Sequence, residues 1–475
     1  MWLVFSTALI VPSMLKYLSL HSHFWDMGMY QNFLWNYDFF SLPNILVFSN
    51  HFRPILSLFA VFYHIFPYGE MLLIFQSLSL SISVFPLYAY ARDALGREKA
   101  FMVVCLYCLF SPVWFINLSD FHPDSFIIPL ALAAIYFINN GRFVFFFLMI
   151  IMLLTVKEIS FFIVAFLGIT IALRYNKPVV GFLLFIISMI GGFLVVDKLI
   201  PYFGGKTALE ATGVSWLGTG MMSLMKNIVL NPQAIVAAMA NYWKAIYIMI
   251  LFGSFLFLPL LAPLELLPAF PGISLALLSD LWRHYALVYH YPSTVVPFIF
   301  IAFIEGYRRV KDSKRNILRG ISAVFILFNL FYLGFFLFYK NDSYHFSRYV
   351  ITDRDRKIQA AIETNVPQDT SASVSTSNLI NCSHLANRKD YLEFPKGVLS
   401  PYEESRYADF VVLDMKRIDE LENMVFSRGD KLTGKINKKY QQIEEGIEKI
   451  ILHYDTVFEY DGFYIFRKSM NHGNP

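Results

Sequence analysis

Charge is segregated along this chain, and that segregation limits its fold more than any motif does. About 34 Asp, Glu, Lys and Arg residues fall in positions 1–339 and about 40 in the final 136, roughly 10% against roughly 29%. Soluble domains average about 25%. The first stretch has the composition of a lipid-embedded chain and the second that of a water-soluble one. Phe alone occupies 49 of 475 positions, and 56% of the residues are apolar. A soluble enzyme, a disordered chain and a single-pass anchored domain are all excluded. The net charge of +4 is too small to indicate a partner, and nothing points to nucleic acid.

A spanning helix needs about 20 mostly apolar residues. Stretches near 2–20, 70–91, 100–118, 125–140, 142–157, 158–174, 178–200, 240–257, 258–278, 291–307 and 320–339 qualify, about eleven in all. Lys and Arg in short loops set the orientation. Arg92, Arg97, Lys99, Arg142, Arg174, Lys177, Arg308, Arg309, Lys311, Lys314, Arg315 and Arg319 fall in mutually consistent cytoplasmic loops. The N-terminus is then cytoplasmic, the first span a retained anchor, and the polar tail extracytoplasmic. Residues 54–68 are too short to cross, and Ile55, Leu56, Phe59, Phe62 and Phe66 recur at helical spacing, which predicts an interfacial helix within the outer loop 21–69. Three cysteines exclude a disulfide framework. Cys105 and Cys108 lie inside an apolar run, so that pair reads as membrane packing.

On this topology five polar clusters face the outer side. They are His21–Trp35 with Asp26, the pair His51 and Arg53, the turn Asp120–His122–Asp124, the pair Lys157–Glu158, and the stretch with Arg283, His284, Tyr289, His290 and Tyr291. Each has a plain explanation. Aromatic and His-rich loop edges anchor at interfaces, Asp caps helix ends, and Lys157 with Glu158 suits a local pair reaching the headgroups. Their gathering on one side argues for more, because ionisable groups at membrane depth are costly. A carboxylate can act as general base on an acceptor hydroxyl, while Arg, Lys and His hold an anionic phosphate. Transfer of a sugar from a lipid-phosphate donor fits that mix.

The series Phe24-Trp-Asp26-Met-Gly28, His51-Phe-Arg-Pro54, Asp120-Phe-His-Pro-Asp124, Thr155-Val-Lys-Glu158 and Tyr289-His-Tyr291 resembles the prokaryotic family catalogued as domain of unknown function 2079. In the tail, Val374–Asn378, His384–Arg388 and Ala408–Asp414 fit it too. That family is similar to the C-type glycosyltransferases, which use polyprenyl-phosphate sugars. The resemblance implies a multi-pass helical fold with a polyprenyl-phosphate sugar donor, membrane lipids, and a glycan, lipid or protein acceptor. It implies Asp26 at the first acidic position and Asp120 with Asp124 at the second, with His122 beside them. Arg53, Lys157 and His51 would contact donor phosphate, and Glu158, Arg283, Tyr289, His290 and Tyr291 would complete substrate binding. The first motif lacks the paired acids of those enzymes. No metal ligand set is therefore assigned, although a divalent metal stays open, and no nucleotide motif implies a cofactor.

The division expected is a transmembrane part, 1–340, and a small extracytoplasmic α/β domain, 341–475. Ser371–Ser375 and Phe410–Asp414 read as buried strands, Thr456–Phe466 as a hairpin turning at Asp461-Gly462, and Leu432–His453 as a helix. Two other functions suit the same clusters: a lipid or solute transporter or flippase, and a non-catalytic membrane scaffold.

Overall fold

A computed structural model of the chain describes residues 1–475 apart from 205–207, 311–315, 339–343, 369, 379, 400–406, 418–432 and 470–475. Lys311, Lys314 and Arg315 of the expected basic loop lie outside the described residues. The chain forms two compact units. One comprises 1–9, 38–58 and 75–334, and the other 10–37, 59–74 and 335–475.

The first unit is helical, with one short antiparallel ribbon of β1 (Val47–Phe48) and β2 (His51–Phe52). Its apolar stretches become helices because backbone polar groups in an apolar medium must bond within their own segment. Among the described residues two helices are long and apolar enough to cross a membrane, Gly69–Leu95 and Pro178–Gly204. The number is four if two bent pairs each count once: Arg97–Leu109 with Ser111–Leu118, bent by 44°, and Pro232–Met239 with Tyr242–Gly253, bent by 77°. Eight further apolar helices run 10–17 residues. The stretch 258–278, expected as one span, is divided among Leu258–Leu261, Pro263–Leu266, Leu267–Ala269 and Phe270–Leu278. The one break lies at Ala262, just ahead of Pro263; from there the pieces run on without a gap to Leu278, tightening to a 3-10 turn at Leu267–Ala269 that contains Pro268.

Helices Ile159–Arg174 and Pro178–Leu194 form a close hairpin. A Cβ on Gly168 would lie 2.6 Å from the Gly181 carbonyl oxygen, so the backbones touch where neither residue has a side chain. At the far end of that helix Arg174 bonds Glu265 at 2.7 Å and Glu305 at 3.1 Å. Arg309 also reaches Glu265 (3.1 Å) and Arg308 reaches Glu305 (2.8 Å). Both glutamates are buried, and Tyr90 donates to Glu305.

The second unit is built on a five-stranded sheet of β3 (Val374–Thr376), β4 (Tyr391–Glu393), β5 (Phe410–Asp414), β6 (Tyr454–Tyr460) and β7 (Phe463–Lys468), in the order β4-β3-β5-β7-β6. The β4, β3 and β5 strands are parallel, while β7 runs antiparallel to β5 and to β6. Asp461 (φ 48°) and Gly462 (φ 78°) make the β6–β7 turn with the two positive φ values that suit a tight hairpin. Alternation along β5 sends Val412 to one face and Val411 and Leu413 to the other. The first face packs Ile358 and Ile362 of helix Asp353–Asn365, and also Leu20 and Phe24 from near the N-terminus. The opposite face packs Ile443, Ile447 and Ile450 of helix Thr433–His453.

Candidate functional site

Four of the five polar clusters meet inside the first unit. The helix break at Thr155–Glu158 and the loop after β2 are tied together by Ile55 N–H donating to the Thr155 carbonyl at 3.0 Å. The turn 119–123 is held by Gln76, whose amide donates to the Asp120 carbonyl and accepts from the His122 N–H, both at 2.7 Å. Asp120 is buried with φ at 65°, a left-handed value that Asp tolerates better than most residues. Chain reversal there delivers Asp124 in the first turn of Pro123–Phe126.

The Asp124 side chain, 1% exposed, receives Lys157 Nζ on Oδ1 at 2.8 Å. Arg53 faces Oδ2 at 3.7 Å, beyond hydrogen-bond reach, and Oδ2 accepts no hydrogen bond among the described residues. Next to this pair, Glu158 accepts from His51 Nδ1 at 2.6 Å and from the Phe52 N–H at 3.1 Å. His122 and His290 stack with ring centroids 3.6 Å apart, and Tyr291 lies against His290 and under Lys157. His284 packs edge-on against Tyr291 and bonds Ser279 at 2.6 Å. Arg283 is exposed and Tyr289 half-buried, with the Tyr289 ring against Trp282.

Burial sets the electrostatics. It lowers the His51 pKa even against the nearby Glu158 carboxylate. It also lowers His290 well below the usual histidine value, helped by His122 and opposed by Asp124. His290 Nδ1 has no hydrogen-bond partner among the described residues. The centre therefore combines Arg53 and Lys157, Asp124 and Glu158, and the imidazoles of His51 and His290, whose charged form burial disfavours, with Asp124 Oδ2 and His290 Nδ1 unsatisfied among the described residues. Such atoms cost free energy until something pairs with them. A hydroxyl can donate to Asp124 Oδ2, and an anionic oxygen can approach Arg53. Among the described residues no group of three or more His, Cys, Asp or Glu side chains is placed to hold a metal ion.

Asp26 belongs to the second unit. It sits, half-buried, in a single π turn, Phe24–Gly28, followed by helix Met29–Trp35. Gln76 and Ser279 went unnoticed in the sequence, because an amide and a hydroxyl in apolar surroundings give no signal of their own.

The model of one family matches residues 16–463, and its description is "Predicted membrane protein (DUF2079)". The chain belongs to this family. It is thus a member of a family of predicted membrane proteins, in keeping with its apolar helices. Among curated proteins none matches the chain. Among solved structures, "Crystal Structure of ArnT from Cupriavidus metallidurans bound to Undecaprenyl phosphate" is similar to this DUF2079 member at 11% identity. The match covers 99% of this chain and 98% of that one, with a TM-score of 0.48.

Proposed function

We propose that the protein is a membrane glycosyltransferase-like enzyme, moving a sugar from a polyprenyl-phosphate donor to an acceptor hydroxyl at the outer membrane face. The observation behind this reading is the buried ion pair of Lys157 with Asp124, faced by Arg53 and with one carboxylate oxygen unsatisfied. The acceptor oxygen bonds to the anomeric carbon, the carbon–oxygen bond to phosphate breaks, and the hydroxyl proton passes to a carboxylate, for which Asp26 is the choice. Arg53, Lys157 and His51 receive the lipid phosphate as it leaves. Asp120, His122 and Asp124 shape the pocket, with Glu158, Arg283, Tyr289, His290 and Tyr291 around the donor.

The proposal keeps about eleven crossings, a cytoplasmic N-terminus and an outer domain from 341 to 475. Two features support it. Arg174, Arg308 and Arg309, all assigned to cytoplasmic loops, meet around Glu265 and Glu305. Helix Leu56–Ile65 buries Leu56, Phe59 and Ala60 while exposing Leu58, Val61, Phe62 and Ile65, as an interfacial helix does.

The test is glycan or glycolipid assembly in cells that carry Asp26→Asn or Lys157→Ala. Loss of product at normal expression is expected from each. Wild-type product from well-expressed Asp26→Asn removes the general-base role, and lipid flipping in liposomes without sugar transfer replaces the enzyme with a flippase.

A further inference from the structure

We propose that the C-terminal segment aims Asp26: Asn378, Asn381 and Glu393 are positioning residues for the turn that bears it. This rests on the role given to Asp26 above, although the contacts themselves do not.

Asp26 lies at the centre of a five-residue π turn, a conformation that is rare and recurs at functional sites. The first backbone donors of any helical turn lack partners within it. His23, immediately before this turn, supplies no side-chain cap. Instead the Phe24 N–H donates to the Asn378 carbonyl at 2.8 Å and the Trp25 N–H to Asn378 Oδ1 at 3.3 Å. A residue more than 350 positions away thus caps the Asp26 turn. The Trp25 indole donates to Glu393 Oε1 at 2.7 Å, and the Phe24 ring packs on Tyr391 with centroids 4.8 Å apart.

Behind Asp26 the fit is equally close. A Cβ on Gly28 would lie 3.0 Å from both Asn381 Oδ1 and Tyr391 Cε1, so this position accommodates only glycine without displacement. Asn381 in turn donates to Gln31 Oε1 at 2.7 Å, and Gln31 donates to Ser383 at 2.9 Å. Further along, Asn32 and Asn36 both donate to the Arg388 carbonyl at 2.8 Å. Residues on both sides of Asp26 are thus gripped by β4 and the segment that joins it to β3. Because that grip is direct, the C-terminal segment and the Asp26 loop lie on the same side of the membrane.

A reacting group must be held to a fraction of an ångström, and a 1 Å displacement can cost about a hundredfold in rate. The full-length chain in membranes, with Cys105, Cys108 and Cys382 replaced by Ser, gives a readout independent of catalysis. In that background Asp26→Cys is labelled with a membrane-impermeant maleimide, with and without Asn378→Ala and Glu393→Ala. We expect the paired substitutions to change the labelling rate about tenfold and Glu393→Gln, which keeps the acceptor oxygen, to restore it. Asn381→Ala, which removes the amide lying against Gly28, should change the Asp26→Cys labelling rate in the same way. With Asp26 intact, Asn378→Ala should lower turnover about tenfold and leave the KM for donor unchanged. An unchanged labelling rate in protein that still inserts and labels overturns the proposal. If Asp26→Asn retains full product while the labelling shift appears, the general-base role fails and the positioning stands.

Discussion

Lys157 and Asp124 show what a single pair contributes to this molecule. Each is nearly inaccessible, so removing one partner strands the other charge away from water. The expected cost of such a break is about 3–5 kcal/mol, whereas replacing both partners with apolar or amide groups costs much less. Lys157→Met alone should therefore lower the thermal midpoint in detergent sharply, while Lys157→Met with Asp124→Asn recovers most of the loss. Additive effects in that double-mutant cycle would show that the pair is not coupled. The sequence marked both residues as costly at membrane depth, and the plain reading of Asp124 was a helix cap. Its carboxylate instead spends Oδ1 on a lysine 33 positions away, a distance in sequence that no local pattern encodes. The same holds for His122 and His290, whose stacking needs two separate turns brought into register.

At the level of elements, what was legible was what depends on local chemistry. Phe410–Asp414 emerged with its expected bounds, and Asp461-Gly462 turned the hairpin where a two-residue turn with positive φ is required. Apolar length alone located the helices, but not their breaks. The stretch 258–278 breaks at Ala262, just ahead of Pro263, and 100–118 bends at Phe110–Ser111, just ahead of Pro112. Close helix approach was not read from composition either, because isolated glycines in apolar runs are common. Gly181 offers a direct check. A side chain there would run into the Gly168 carbonyl and Ala172, so Gly181→Val should destabilise the protein by about 1–3 kcal/mol. Thermal unfolding in detergent measures this, and an unchanged midpoint would show that the hairpin opens without penalty. Gly320, where a β-carbon would meet no atom of the described residues within 4 Å, is the matching control, and Gly320→Ala should be neutral or mildly stabilising.

For the molecule as a whole, the decisive quantity is which side of the membrane each loop faces. Impermeant thiol labelling of intact cells, in the cysteine-free background, addresses it. Asn140→Cys, at an exposed helix end beside Arg142, should be protected until the membrane is permeabilised. Tyr68→Cys and Asp461→Cys, both exposed, should label from outside. Labelling of all three from outside would overturn the charge-based orientation.

By itself the sequence determined the broad class: charge too sparse for water in positions 1–339, charge ample for water after them, and five polar clusters whose ionisable groups are costly in lipid. Those conclusions follow from local composition and from the energy of placing each residue type in each solvent. Tertiary structure alone decided which clusters meet. It joined the loops around Arg53, Asp124, Lys157 and His290 in one unit, and it gathered 10–37 and 59–74 with the C-terminal sheet in another. The physical reason is that ion pairs, ring stacks and caps act over a few ångströms between residues tens to hundreds of positions apart. Only the folded chain brings their partners within that range.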